Sequence, residues 1–203
     1  MSNLNLNKQD IFKELNERIA KCQACGLCKT RTNTVPSKGN LNAKIMLIGE
    51  GPGADEDLQG LPFVGAAGQL LHKILKAAGI NSDELFFTNV VKCRTDENNR
   101  NPSEAEIFAC NDFLETQLFL IHPELVIAVG GVATQTLLRI STGIMTLHGK
   151  IRNWRGIRLF PMIHPSYLLR NPDKSSDPGS PRYKMWEDAK LLKKYVDEVN
   201  LNG

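Results

Sequence analysis

No apolar run in this sequence of 203 residues approaches the roughly 18 that a membrane-spanning helix needs, so no membrane partner is expected. The opening MSNLNLNKQD lacks both a basic start and an apolar stretch. No secretory leader is read there, and the expected compartment is the cytoplasm. There is no internal repeat and no low-complexity tract. Cysteine is scarce and odd in number, five in all, and in a reducing compartment that excludes a disulfide framework. What remains is globular in composition. Hydrophobic residues make up 41% and charged residues 23%, which excludes a disordered or collagen-like chain. The length suits a single domain, 1–203, able to bury roughly 70% of its unfolded surface.

Charge is near balance at +3 but unevenly spread. Arg139, Lys150, Arg152, Arg155, Arg158, Arg170 and Lys174 share their segment with one acid, Asp173, a local excess of +6. Glu50, Asp55, Glu56 and Asp57 form an acidic stretch earlier in the chain. The basic segment reads either as a face for a polyanion or as a solvated surface whose acids lie elsewhere.

Hydrophobic periodicity sets out the elements. Ile11, Phe12, Leu15 and Ile19 recur at helical spacing, so Lys8 to Lys21 reads as an amphipathic helix ending at a cysteine turn. Short apolar runs at 44–49, 85–91, 125–129 and 157–163 read as four buried strands. Helices are expected over 65–78, from Ser103, from 131 to about 140, and over 184–199. Strands alternating with helices imply a parallel sheet covered on both faces, a three-layer α/β/α sandwich. Ligands of such sheets sit beyond the carboxyl ends of the strands. The residues there are Gly49 to Gly53, Thr88-Asn89, Gly130-Gly131 and His164-Pro165-Ser166.

Cys22 and Cys25 form a C-x2-C, and Cys93 and Cys110 a second, widely split pair. Two thiolates at the first spacing can bind one metal centre from a tight turn; a redox dithiol is the other reading. The motif follows a helical stretch and not an early strand, which weighs against the redox reading. Zinc ribbons bring two C-x2-C knuckles, so the split pair leans toward an iron–sulfur cluster. Cys28 extends the first motif, as a further ligand or as a small apolar residue.

Three stretches carry a resemblance. GEGPGADEDLQGLPFVGAAGQLL (49–71), TNVVKCRTDENNRNPSEAEIFAC (88–110) and FPMIHPSYLLRNP (160–172) resemble the family 4 uracil-DNA glycosylases, the iron–sulfur type first known from thermophiles. The leading C-x2-C and a late PGSP with Trp186 also fit, so the likeness runs from about Cys22 to Trp186. It implies an α/β/α fold on a four-stranded parallel sheet, and an enzyme that removes uracil from DNA, single- or double-stranded, by hydrolysing its N-glycosidic bond. The product is an abasic site, the start of base excision repair. It also implies one structural 4Fe-4S cluster on Cys22, Cys25, Cys93 and Cys110. The cluster would tie an N-terminal segment, about 8–35, to the loop after the second strand; Cys28 has no ligand role. The chain is expected to act as a monomer.

The same resemblance assigns the site. Glu50, Gly51, Pro52 and Gly53 match the first active-site motif, Phe63 the aromatic that stacks on uracil, Asn89 the base-reading amide, and His164 and Leu168 the histidine and wedge of the second motif. Chemistry agrees. A carboxamide can accept from uracil N3–H and donate to O4, a pattern cytosine reverses. A histidine at a strand tip can donate to O2 as negative charge develops there. Taken singly, Asn89 also reads as a turn residue, Phe63 as core and His164 as a satisfied buried histidine. Where the best-known uracil glycosylases place an aspartate this chain has Gly51, and Glu50 beside it is left to polarise water or to wall off C5. Arg170 is expected on phosphate, and His148 also lies in the basic segment. A related class traps uracil-DNA covalently through a histidine in a Lys- and Arg-rich loop. Residues 94–109 here hold no histidine, which favours turnover. The alternative is an iron–sulfur nucleic-acid-binding protein that binds uracil-DNA without turnover.

Overall fold

The computed structural model describes residues 7–171 and 177–201. Helix α1 (Lys8–Ala20) is capped by the Asn7 carboxamide, which accepts from the Asp10 N–H at 2.9 Å. A 3-10 turn at Gly26–Lys29 leads past the cysteine turn to strands β1 (Lys38–Gly39) and β2 (Ile45–Gly49). Helices α2 (Ala54–Gln59) and α3 (Ala66–Ala77) follow, then β3 (Leu85–Asn89). A capping box of Ser103 and Glu106 starts α4 (Glu104–Ile121). Next come β4 (Leu125–Val129), helices α5 (Gly131–Leu138) and α6 (Ile144–Leu147), and strands β5 (Arg152–Trp154) and β6 (Ile157–Met162). Helices α7 (Ser166–Arg170) and α8 (Pro181–Leu201) complete the described part.

Among the described residues the strands form one sheet, ordered β1-β3-β2-β4-β6-β5. The four inner strands are parallel, as expected. β1 and β5 add antiparallel edges, and at two and three residues they are too short to leave a periodic signal. Every residue of β2, β3 and β4 is buried, which is why these strands read as unbroken apolar runs. Period two survives in the packing. Ile45, Leu47, Phe87, Ile127 and Phe160 pack with Leu71 and Leu75 of α3 and Leu192 and Val196 of α8. Met46, Ile48, Phe86, Val126 and Leu159 pack on the other face with Phe12, Leu15, Leu114, Leu118 and Leu137 of α1, α4 and α5. The result is the expected three-layer sandwich.

β2 lies between β3 and β4, so the chain winds first to one side of β2 and then to the other. That reversal opens a crevice beyond the carboxyl ends of the inner strands. β3 ends at Asn89, two residues earlier than expected. The Val90 and Val91 N–H groups still reach the Gly49 and Glu50 carbonyls at 2.9 and 3.1 Å. The segment after Pro165, expected as a loop, is the short helix α7, begun by backbone bonds from Tyr167 and Leu168 to the His164 and Pro165 carbonyls. Asp173 and Lys174 lie outside the described residues.

Candidate active site

The strand tips open into a cleft of about 530 Å3. Glu50, Gly51, Gly53, Phe63, Asn89, His164 and Arg170 all line it. Leu168 does not: it is partly buried on α7 and packs against the α3 and α8 side of the core, while its neighbour Leu169 is 48% exposed.

Asn89 is 3% exposed at the end of β3, in register with Gly49 of β2. No hydrogen bond engages its carboxamide among the described residues. Phe63 stands beside it in a left-handed conformation, φ 57°, with its ring 5.7 Å from that of Phe87. Two glycines make this arrangement possible. A Cβ on Gly49 would lie 2.4 Å from Asn89 Oδ1 and 2.8 Å from Phe63 Cζ, and one on Gly68 would lie 2.3 Å from the Phe63 carbonyl carbon. The amide and the aromatic tip therefore flank the bare Cα of Gly49.

His164 is partnered on one nitrogen. Its Nδ1 accepts from the Ser166 N–H at 3.1 Å and sits 2.8 Å from Ser166 Oγ. A backbone N–H can only donate, so Nδ1 is unprotonated and a neutral ring carries its proton on Nε2. Burial, with Arg170 adding to it, pulls the imidazole pKa down to about 4, so the neutral ring persists at physiological pH. Across the cleft, burial raises the Glu50 carboxyl above its ordinary value, and Arg170 opposes that rise. Arg170 is thus a charge felt by both groups, as well as an exposed candidate for phosphate. At Gly51 a Cβ would come within 2.8 Å of Val91 Cγ2, so an acid there would have to displace that valine.

Two acids of the acidic stretch, Glu56 and Asp57, form internal clamps. Glu56 accepts from the Gly53, Val64 and Gly65 N–H groups at 3.1, 3.0 and 2.8 Å, tying the first motif to the segment that carries Phe63. Asp57, 3% exposed, accepts from the Thr32 N–H at 2.9 Å and holds the segment after the cysteine turn against α2. The three-residue step from Gly53 to Glu56 is capping-box spacing, a signal available in the sequence. Nothing in the sequence marks the backbone partners of Asp57.

The basic segment is partly neutralised. Arg155 meets Glu115 and Arg158 meets Glu198, each at 2.8 Å, so for these two the acids do lie elsewhere. His148 Nδ1 lies 2.8 Å from Asp188 Oδ2, which occupies that nitrogen.

The cysteines gather at the far side of the segment that follows β3. Cys22, Cys25, Cys28, Cys93 and Cys110 line one narrow pocket with Arg31 and Lys92, so Cys28 shares it. Arg31 donates to Cys93 Sγ at 3.3 Å and to the Cys22 carbonyl at 2.7 Å; the Lys92 N–H donates to Cys110 Sγ at 3.3 Å. Burial pushes the Cys93 thiol up to about 11 against the pull of Arg31, and burial also raises Cys110. Thiols so disfavoured as free thiolates ionise when a metal takes the sulfur. Among the described residues no three Cys, His, Asp or Glu are disposed to hold a single metal ion. Cys22, Cys25, Cys93 and Cys110 are the four thiolates an iron–sulfur cluster would take, and N–H donors to the Cys93 and Cys110 sulfurs would suit it. The residues present fit such a cluster.

The family model for the uracil DNA glycosylase superfamily matches residues 36–190. A type-4 uracil-DNA glycosylase of Thermotoga maritima is 41% identical over 166 residues, 81% of this chain and 86% of that protein. One of Sulfurisphaera tokodaii is 37% identical over 203 residues, 96% of this chain and 92% of that protein. One of Saccharolobus solfataricus is 42% identical over 165 residues, 77% of this chain and 76% of that protein.

Proposed function

The chain belongs to the type-4 uracil-DNA glycosylases of the uracil DNA glycosylase superfamily, and from that premise we propose how it works on uracil-containing DNA. It draws uracil out of the stack, hydrolyses the N-glycosidic bond, releases free uracil and leaves an abasic site. The observation that carries this reading is the Asn89 carboxamide, nearly buried yet without a hydrogen bond among the described residues, beside Phe63 and opposite a neutral His164. A carboxamide that faces the cleft with both its donor and its acceptor unengaged among the described residues is free to pair with a ligand there.

Uracil stacks on Phe63 and exchanges two hydrogen bonds with Asn89, N3–H to Oδ1 and Nδ2–H to O4. As the N1–C1′ bond breaks, its electron pair passes to the base. The His164 Nε2–H donates to O2, where the negative charge collects. Water adds to C1′ and gives up a proton. Glu50, made more basic by burial, accepts it, and the proton ends on the departing uracil. Gly51 and Gly53 keep the first motif open to the base. Arg170 holds phosphate, and the α7 turn carrying Leu168 and Leu169 enters the space the nucleotide leaves.

One 4Fe-4S cluster on Cys22, Cys25, Cys93 and Cys110 completes the reading. When bound it supplies a structural tie between the N-terminal segment and the stretch between β3 and α4. The chain acts as a single-domain monomer in the cytoplasm, on single- or double-stranded DNA. The test is incubation with an end-labelled oligonucleotide holding one uracil, followed by alkali. Cleavage at that position with stoichiometric free uracil is expected, and matched cytosine and thymine strands stay whole. Tight binding without released uracil would replace this reading with that of a non-catalytic binder.

A further inference from the structure

We propose that Lys92 is a positioning residue for the base reader: its ammonium clamps the end of β3 from beneath and fixes where the Asn89 carboxamide stands. The proposal rests on the uracil-excising reading above. Lys92 is 1% exposed, in the apolar stretch between Asn89 and Cys93. Its Nζ donates to the Asn89 carbonyl at 2.5 Å, to Thr88 Oγ1 at 2.7 Å and to Gln117 Oε1 at 2.8 Å. Three donors meet three oxygens, and none belongs to a carboxylate.

The acceptors are themselves locked. Thr88 and Gln117 are fully buried, and Thr88 Oγ1 lies 2.8 Å from Gln117 Oε1. Both side chains also reach the Pro36 carbonyl, at 2.8 and 3.0 Å. The root of Lys92 is held as well. Its N–H donates to Cys110 Sγ, and its carbonyl accepts from the Val35 N–H at 2.8 Å. One ammonium thus joins β3, α4 and, through Pro36, the segment ahead of β1.

The need for such a clamp follows from the sheet. β1 pairs with β3 only as far as Phe87, so beyond it Thr88 and Asn89 have no strand on that side. There the Lys92 ammonium supplies a donor to the Asn89 carbonyl, and with Gln117 it holds the Thr88 hydroxyl. Packing alone does not account for a lysine here, since a buried ammonium without a carboxylate is costly and a methionine would fill the volume. What the lysine adds is direction, three donors aimed at three segments. A catalytic group displaced by 1 Å can cost about 100-fold in rate.

The test is Lys92→Met, read by iron content per chain, single-turnover excision, and binding to two duplexes. One duplex carries a non-hydrolysable 2′-fluoro uracil nucleotide and the other cytosine at the same position. Iron content and binding to the cytosine duplex should match wild type. Excision should fall about 10- to 100-fold, and the preference for the uracil duplex should shrink by a similar factor. A purely structural role would lower the active fraction and leave that preference unchanged. Wild-type excision, or an unchanged preference, overturns the proposal. Should Lys92→Met lose its iron, Thr88→Val removes one acceptor at nearly equal volume. A several-fold loss of preference is then expected, and no loss overturns the proposal. Absence of excision by the wild-type protein would instead overturn the glycosylase reading, so the two failures are distinct.

Discussion

The cleft and the cysteine pocket lie at opposite ends of the five-residue stretch from Asn89 to Cys93, and they treat their polar groups in opposite ways. In the cleft the scaffold is saturated and the working group is left open. Glu56 takes three backbone donors and His164 Nδ1 is occupied, while the Asn89 carboxamide has no hydrogen bond among the described residues. In the pocket two of the sulfurs already receive donors, Cys93 from Arg31 and Cys110 from the Lys92 N–H. An open amide suits a ligand that comes and goes. Sulfurs that already have donors, as those of Cys93 and Cys110 do, suit one that stays. On the proposed function one end serves recognition and the other architecture, and each can be broken separately.

The largest effect is expected at the architectural end. Cys93→Ala should lose iron and lower the melting temperature enough to leave little folded protein, whereas Cys28→Ala should keep both. Iron and sulfide analysis with thermal melts checks this. Stoichiometric zinc in the wild-type protein, without iron, would refute the cluster.

At the recognition end, His164→Ala should reduce single-turnover excision about 10²- to 10³-fold, the scale of one lost donor to a developing anion, on single- and double-stranded substrate alike. The histidine also predicts a pH dependence of stability. Its folded pKa of about 4 lies below the ordinary 6.5. Between those values the unfolded chain binds a proton that the folded chain refuses, so stability falls as pH drops from 6.5 toward 4. Denaturant melts at pH 5 and pH 7 should show that loss in wild type and a smaller one in His164→Gln.

The smallest effect is expected on α7. Leu168→Ala should lose about 10-fold on duplex and less on single-stranded uracil, because extrusion from a duplex costs a few kcal/mol more. Leu169→Ala sharpens the assignment, since Leu169 is the more exposed of the two. Equal losses on both substrates for both variants would remove the wedge role.

The sequence made the cleft more legible than what supports it. The four inner strands are buried on both faces, so they stand out as apolar runs, and their tips bring Glu50, Asn89 and His164 together. Beyond the capping-box spacing that ties Glu56 to Gly53, the partners of Glu56 and Asp57 are backbone N–H groups at 64, 65, 32 and 33, which leave no mark in composition. Lys92 is hidden for a similar reason: lysine is almost never fully buried, and its oxygens come from 88, 89 and 117. Helix α7 is five residues long, less than two turns, too little for a period to register.

The central claim is that Asn89 reads the base, and Asn89→Asp tests it most directly. A carboxylate can accept from N3–H but cannot donate to O4. Single-turnover excision of uracil, with iron content measured on the same sample, should fall about 100-fold while the cluster is retained. Excision at the wild-type rate by an iron-replete Asn89→Asp protein would contradict the account.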